Sequence, residues 1–333
     1  MSELRINNIT DTAGSSGPII AGVSTVTSTS HMVMPSGPTE MRGGRGRAIV
    51  FVGATPSNTT LIDAFNTVTA GDAFDFGDAS AARYNNGFGG CASATRGVIA
   101  DGTLMEYVVF SSGGGSNEFG DHRLMGGGTG SGAIGHAADG VRGLLAGGYI
   151  APSNLNTIDF ITIATTGSSS SFGEFDDGST GGYSPMASST RAVFARAGQG
   201  INFINFTSGG KTQIFGDMRG DSRTAHVASC SSSTRGIMAG GEAPSRVNTI
   251  TFITLATLGN GTDFGDLLAG RNDHDAVSSS TRGFIVAGAN PSKTNSIEFV
   301  TIASTGNASD FGDLTQARSQ PSCCSDVHGG LGD

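Results

Sequence analysis

Hydrophobic residues recur along this chain in one pattern that appears six times. Each copy contains a phenylalanine followed by glycine and an acidic residue, and an apolar residue stands 14 positions before that phenylalanine. Successive phenylalanines are 43 to 53 residues apart, which is the period of a repeat protein built from one recurring group of strands or helices. The six phenylalanines are Phe76, Phe119, Phe172, Phe215, Phe264 and Phe311.

Each repeat predicts four short strands. In the third repeat, Ile158 and Phe160 alternate with Ile161 and Ile163, so both faces are apolar, as in a strand packed between two layers. A second strand begins at a repeated arginine, a third contains the Phe-Gly-acid triplet, and a fourth is the serine-rich run before the next arginine. Four strands in a repeat of this length indicate a β-propeller blade. The six arginines are Arg47, Arg96, Arg142, Arg191, Arg235 and Arg282.

The two ends of the repeat region predict how the ring of blades closes. Residues 322–328 look like the strand that precedes a repeat arginine, yet no repeat follows them. The first repeat has no such strand before Arg47. We therefore expect residues 322–328 to pair beside residues 47–52, because a closed ring leaves no open sheet edge.

The blade pattern resembles the kelch repeat. Gly147-Gly148 and Gly240-Gly241 match the kelch glycine pair, and Arg83, Arg271 and Arg318 follow the triplet as blade-end arginines. Phenylalanine stands where kelch repeats usually have tryptophan. We predict an all-β chain, in which residues 41–333 form a six-bladed kelch-like β-propeller closed by the C-terminal strand.

Residues 1–40 lie outside the repeat and predict a non-propeller N-terminal arm. Residues 19–34 alternate between apolar and polar, which indicates a strand or a strand pair, and two prolines end this segment. An arm of this kind docks onto its own body, a sister subunit or a larger assembly. The expected anchoring residues are Ile19, Ile20, Val23, Val26, Met32 and Met34.

Composition narrows the classes of partner. The chain has 54 glycines and 14% charged residues, but its regularly spaced β-branched and aromatic residues favour a packed fold over disorder. A net charge of −9 argues against nucleic acid as a partner. With no apolar run of about 18 residues and no secretory pattern at the N-terminus, we expect no membrane insertion and synthesis without a signal peptide.

Three of the four cysteines occupy one position of the repeat. Cys91 and Cys230 stand five residues before a repeat arginine, and Cys324 falls at about the same place in the C-terminal partial repeat. Other repeats have alanine, methionine or valine there. This pattern predicts buried thiols in the core rather than disulfides or metal ligands.

The repeated charged residues allow two interpretations. The triplet acids could form a metal-binding ring, or they could be turn residues paired with Arg83, Arg271 or Arg318. The repeat arginines could form a cationic ring that binds an anion, or they could hold neighbouring blades together. Repetition in every blade favours the structural role for both. His274 and its two flanking aspartates predict a solvated loop. No motif predicts a catalytic residue, a metal site or a cofactor. The triplet acids are Asp78, Asp121, Glu174, Asp217, Asp266 and Asp313.

Variable loops are the candidate binding sites. Four of them link the arginine strand to the next apolar strand, so they emerge on one face of the propeller, where such folds bind partners. The runs 124–140 and 176–189 are expected to be connections between blades. The candidate loop residues are Pro56, Ser57, Asn58, Pro152, Ser153, Asn154, Pro244, Ser245, Arg246, Pro291, Ser292 and Lys293.

The opening phrase SGPIIAGVSTVTSTSHMVMPSGPTEMRGGRGR, together with repeats of the type NTIxFITIATTGNxxDFGDL, resembles virion structural proteins of tailed phages, especially those infecting marine cyanobacteria. The resemblance covers nearly the whole chain. It implies a non-enzymatic virion protein, anchored to other virion proteins by its N-terminal arm and projecting the propeller outward.

The virion resemblance leaves several locations and activities open. Tail fibre or baseplate association is favoured, with attachment to a host surface glycan. Head decoration is the alternative within the structural class, and a glycan hydrolase or lyase is the alternative from the enzyme class. Self-association of the chain is also left open.

Overall fold

A computed structural model describes residues 25–26, 32–33, 46–83, 89–101, 104–123, 132–150, 152–176, 183–196, 200–218, 227–242, 244–328 and 330. The chain divides into two compact units, residues 1–45 and 46–333. In the first unit, strands Thr25–Val26 and Met32–Val33 pair antiparallel, with Thr25 opposite Val33. These strands contain Val26 and Met32 of the expected anchoring set. Ile19, Ile20, Val23 and Met34 lie outside the described residues.

The second unit is a six-bladed β-propeller, as predicted. Each blade is an antiparallel sheet of four strands, which we name inner, second, third and outer. The inner strands are Ser322–Ser325 in blade 1, Cys91–Ala92 in blade 2, Gly132–Ala138 in blade 3, Tyr183–Ala187 in blade 4, Ala228–Ser231 in blade 5 and Asp275–Ser278 in blade 6. In the same order, the second strands are Arg47–Phe51, Arg96–Asp101, Arg142–Ile150, Arg191–Arg196, Arg235–Ala239 and Arg282–Val286.

The third and outer strands complete each blade. The third strands, from blade 1 to blade 6, are Thr59–Asn66, Leu104–Val109, Thr157–Thr162, Gly200–Asn205, Thr249–Thr254 and Thr294–Thr301. The outer strands are Phe74–Arg83, Asn117–Asp121, Ser170–Glu174, Gln213–Asp217, Thr262–Asp266 and Ser309–Arg318. Two short strands are additional: Ser153–Asn154 pairs with the second strand of blade 3, and Gly210–Lys211 pairs with its outer strand. In the described part of the chain, no helix is long and apolar enough to cross a membrane.

The ring closes where the sequence predicted. Inner strand Ser322–Ser325 pairs antiparallel with second strand Arg47–Phe51, with Ser322 opposite Phe51 and Ser325 opposite Ala48. Blade 1 is therefore built from both ends of the propeller unit. The inner strands of successive blades contact one another around the axis.

The prediction for runs 124–140 and 176–189 was wrong in part. They contain two inner strands, Gly132–Ala138 and Tyr183–Ala187, rather than connections alone. The first is mostly glycine and alanine and the second contains a proline, so they lack the apolar alternation that identifies a half-buried strand. Each pairs with the second strand of its blade on one side and contacts the inner strands of neighbouring blades on the other, where space is limited.

The core lies between adjacent blades, and the cysteines contribute to it as predicted. All four cysteines are buried free thiols. At four junctions, a sulfur atom of an inner strand faces a glycine of the next blade, the one that follows the repeat arginine. A Cβ atom built on that glycine would lie 2.7 Å or less from the sulfur. Glycine at this position therefore makes room for the neighbouring blade. The pairs are Cys324 with Gly97, Cys91 with Gly143, Met186 with Gly236, and Cys230 with Gly283.

Candidate functional site

The six repeat arginines join neighbouring blades in an unbroken ring. Each donates from Nη1 to a backbone carbonyl just after the third strand of the next blade. The last pair joins blade 6 to blade 1, so every junction between blades has one of these hydrogen bonds. The pairs are Arg47 with Phe110, Arg96 with Ile163, Arg142 with Phe206, Arg191 with Leu255, Arg235 with Ile302 and Arg282 with Val68.

The same guanidinium groups lie over aromatic rings of their own blades. In blades 2 to 6 the ring belongs to the third strand, and the distance from Cζ to the ring centroid runs from 4.2 Å for Arg96 to 6.0 Å for Arg142. Blade 1 has Ala64 at the aromatic position, and Arg47 lies 5.4 Å from the ring of Phe76 instead. A carbonyl on one side and an aromatic ring on the other fit a structural role for these arginines.

The triplet phenylalanines pack inside their blades. All are buried except Phe172, which is half-buried. In blades 2 to 6 each meets the third-strand aromatic residue edge to face, with centroids 5.6 to 6.1 Å apart. These aromatic partners stand 12 residues before the phenylalanine, and the apolar residue 14 before it pairs with the triplet glycine, as Ile250 does with Gly265, so the fixed spacing reflects the register of the third and outer strands.

The glycine of each triplet contacts the next blade, a role that the sequence did not reveal. In blade 5, the N–H of Gly306 donates to the carbonyl of Phe264 over 2.8 Å, and the N–H of Ala308 donates to the carbonyl of Asp266 over 2.8 Å. The turn of each following blade covers the outer strand in this way. A Cβ atom at Gly265 would clash with the backbone of Gly306, and all six triplet glycines have an equivalent clash.

The predicted pairing of triplet acids with blade-end arginines was wrong. The arginines instead pair with acids of the third strand in the next blade: Arg83 with Glu106, Arg123 with Asp159, Arg271 with Glu298 and Arg318 with Asp63. The triplet acids lie on the outer strands, where all but the half-buried Glu174 are exposed to solvent. The true partners are all buried, and so are the side chains of Arg271 and Arg318, whereas Arg83 is half-buried and Arg123 is exposed.

Two of the blade junctions have no such acid. Asn202 stands in its place in blade 4 and donates to Thr212 over 3.2 Å, and Thr251 stands there in blade 5. Burial lowers the pKa of Arg271 to about 10, which still leaves its guanidinium charged at neutral pH. These ion pairs join neighbouring blades.

The prediction of a solvated loop at His274 was also wrong. His274 is buried, with Nε2 3.0 Å from the carbonyl oxygen of Ala239. The adjacent Asp275 is buried too, and it accepts hydrogen bonds from the backbone N–H groups of Gly89, Cys323 and Ala276. Burial raises the pKa of Asp275 to about 7, against the opposing effect of these hydrogen bonds.

The axis of the propeller is nearly filled by the inner strands. At the free edges of these strands, serine hydroxyls donate hydrogen bonds to backbone carbonyls of the neighbouring inner strand. Ser231 donates to the carbonyl of Ala187, Ser278 to that of Ser231 and Ser325 to that of Ser278. A cavity of about 50 Å³ remains between these strands, enough for a few water molecules. In the described part of the chain, no group of three or more His, Cys, Asp or Glu side chains is placed to hold a metal ion.

The four candidate loops present exposed Pro-Ser tips between the second and third strands. The tips at Pro56, Pro152, Pro244 and Pro291 are exposed together with the serines that follow them. The blade 3 loop is a small hairpin, in which Ser153–Asn154 pairs with Tyr149 and Ile150. The tips are thus held on ordered backbone, and their side chains are free to touch a partner.

Loops of blades 5, 6 and 1 are also connected to one another. Lys293 Nζ donates to the carbonyl of Thr55, linking blade 6 to blade 1. On the other side, Arg246 Nε donates to Asn272 Oδ1 over 2.8 Å, and the N–H of Ala289 donates to the carbonyl of Asn272 over 2.9 Å. These contacts make three of the four loops one braced surface, which we call the braced loop surface.

Neither a scan against protein-family models nor a search of curated proteins returns a match for this chain. The architecture itself is established by its sheets, their register and their ring closure. The chain is an all-β protein whose residues 46–333 fold as a six-bladed β-propeller.

Proposed function

We propose that this protein is a non-enzymatic structural protein of a tailed-phage virion, associated with the tail fibre or baseplate. In this proposal the N-terminal arm anchors the chain to other virion proteins. The propeller then presents its loop face to the host surface, with a surface glycan as the ligand. The resemblance of the arm and repeats to phage virion proteins supports this assignment, and the fold alone would not.

The braced loop surface is the observation that supports the binding role most. Its Pro-Ser tips are exposed, while the side chains below them are committed to contacts between loops, such as that of Lys293 with Thr55. A surface that is ordered before binding loses less conformational entropy when a partner docks. The repeat arginines and the buried acids are, by contrast, engaged inside the propeller.

Location is tested on intact particles. Mass spectrometry of purified virions and immunogold labelling with antibodies to this chain are expected to place it in the particle, at the tail. Labelling over the head would replace the tail assignment with head decoration. Absence of the protein from purified virions would refute the virion assignment.

Attachment is tested with the full-length chain on host cells. The variant Ser57→Glu, Ser245→Glu, Ser292→Glu adds charge at three loop tips and is expected to lose at least about tenfold in cell binding. The matched control is Thr166→Glu, Thr257→Glu, Thr305→Glu, which adds the same charge to exposed turns between third and outer strands. Equal loss in both variants would contradict a loop-face site, and release of sugars from host polysaccharide would favour the enzyme alternative.

A further inference from the structure

We propose that an apolar patch formed by Ile214 and Leu258, on the rim of blades 4 and 5, is the contact surface for a second copy of this chain. The proposal concerns the rim of the propeller and does not depend on the proposed function of the loop face. Ile214 lies on the outer strand of blade 4, and Leu258 lies in the turn between the third and outer strands of blade 5.

The backbone brings these two residues together. The N–H of Gly259 donates to the carbonyl of Phe215 over 3.1 Å, so the residues immediately before them, Leu258 and Ile214, lie at one junction of the rim. Ile214 is 73% exposed and Leu258 is 60% exposed. Two large aliphatic side chains are therefore exposed to solvent at the same junction between blades. We call them the rim patch.

The rim patch departs from the repeat at both of its positions. The residue before the triplet phenylalanine is acidic in blades 1, 2, 5 and 6, and serine in blade 3: Asp75, Glu118, Asp263, Asp310 and Ser171. The turn residue that matches Leu258 is alanine, glycine or threonine in the other blades: Ala70, Gly113, Thr166, Gly209 and Thr305. Large apolar residues replace small or charged ones at both positions of one junction, although folding of the blade does not require it. Exposed apolar residues grouped in this way mark interaction sites.

The charge around the rim indicates the kind of partner. The outer strands of blades 1, 2, 5 and 6 each have two exposed acids, at the position before the triplet phenylalanine and at the end of the triplet. The outer strands of blades 3 and 4 have only the triplet acids Glu174 and Asp217. A basic partner would be attracted to the outer strands that have two acids rather than to the outer strand of blade 4, which contains Ile214. That strand has Asp217 as its one acid, and it therefore suits a partner that is itself acidic.

A second copy of this chain meets that condition. Its net charge is −9, so two copies repel each other least where their rims carry fewest acids. In a two-fold contact, Ile214 of one copy faces Leu258 of the other and the reverse contact repeats it. The apolar area is small compared with the roughly 800 Å² per partner of a stable interface, so the dimer is expected to be weak in isolation. At the high local concentration of a larger assembly, a weak contact of this kind is sufficient.

Sedimentation velocity of the full-length chain, from about 1 µM to about 500 µM, tests the proposal. The wild type is expected to shift reversibly from monomer toward dimer over this range. Ile214→Asp and Leu258→Asp each place a carboxylate in the apolar contact and are expected to raise the dimer dissociation constant by at least about tenfold. Wild-type protein that stays monomeric throughout would overturn the proposal.

The matched controls are Val68→Asp and Val141→Asp. Each removes an aliphatic side chain that is 65% exposed, at a place outside the rim patch. They are expected to dimerise like the wild type, with circular dichroism confirming that all four variants are folded. The proposal also fails if Ile214→Asp dimerises as the wild type does, or if the control variants lose dimerisation to the same extent. Either result would assign self-association to another surface.

Discussion

The Asp326 carboxylate accepts a 2.9 Å hydrogen bond from the backbone N–H of Arg47, which lies 279 residues earlier in the chain. In blade 3, Asp139 accepts a bond of 2.6 Å from the N–H of Arg142 within a single tight turn. The carbonyl of the arginine also accepts an N–H from the aspartate in both blades. The junction that closes the ring thus has the hydrogen bonds of an ordinary turn without its covalent connection.

Substitution of Asp326 is therefore expected to loosen ring closure. Asp326→Ala leaves the backbone N–H groups of Gly46 and Arg47 without their acceptor, and we expect a loss of about 1–3 kcal/mol in unfolding free energy, measured by urea denaturation. Asp326→Ser is the control, because Ser279 accepts the N–H of Arg282 over 3.0 Å at the same place in blade 6. Serine should retain much of the stability, and equal losses in the two variants would contradict this role.

A second expectation concerns pH and the buried Asp275. With a pKa raised by burial to about 7, the folded protein keeps a proton on this carboxyl up to about pH 7, whereas the unfolded chain releases it near the ordinary pKa of 3.8. The stabilisation is fully present below that ordinary value and is lost as pH rises to about 7, by up to about 1.4 kcal/mol per pH unit. Burial lowers the pKa of His122 and His328, so these groups act in the opposite direction below about pH 6.5.

The variant Asp275→Asn separates the contribution of Asp275 to the pH dependence of stability from that of the two histidines, because asparagine does not titrate. The stability of the wild type relative to this variant, from urea denaturation at several pH values, is expected to be greatest below about pH 4 and to decline from there up to about pH 7. Above that value the difference should be constant. A difference that does not change with pH would mean that Asp275 titrates alike in the folded and unfolded states.

The sequence contained enough information to predict the blades and the closure of the ring. The six phenylalanines and arginines keep a fixed register because each blade has the same internal contacts, such as that of Phe252 with Phe264. Ring closure followed from one surplus strand at the end and one missing strand at the start. The blade pattern can be read within a single repeat, and the ring closure can be read by comparing the first and last copies of the repeat.

Contacts between blades were harder to predict. The acid that pairs with a blade-end arginine lies in the next repeat, and Asn202 and Thr251 replace it in two blades, which hides its periodicity. In blade 2 the arginine itself is displaced: Arg123 stands four residues after the triplet phenylalanine, whereas Arg83, Arg271 and Arg318 stand seven after theirs. The role of the triplet glycine was hidden for a similar reason, because its neighbour is the turn of another blade.

The ion pair between Arg271 and Glu298 gives a third prediction. Both side chains are buried, so Glu298→Gln leaves a desolvated guanidinium without its counter-ion, and we expect a loss of about 3–5 kcal/mol. The double variant Arg271→Met, Glu298→Thr removes both charges, and its threonine is the residue that blade 5 has at the acid position, Thr251. It should be more stable than Glu298→Gln alone in urea denaturation. A double variant that is less stable than the single one would show that the ion pair is needed for packing.

Glycine after the repeat arginine gives the last prediction. At Gly283 a Cβ atom would lie 2.7 Å from Cys230 Sγ, and every other neighbour is at least 3.4 Å away. Gly283→Ala is therefore expected to cost about 1–3 kcal/mol through overpacking. Cys230→Ala removes the sulfur, and the double variant should recover much of this loss, because Ala137 and Ala192 already occupy the equivalent positions of blades 3 and 4 in one core cluster. A double-mutant cycle from urea denaturation measures the coupling, and strictly additive losses would show that the sulfur is not what excludes a side chain at Gly283.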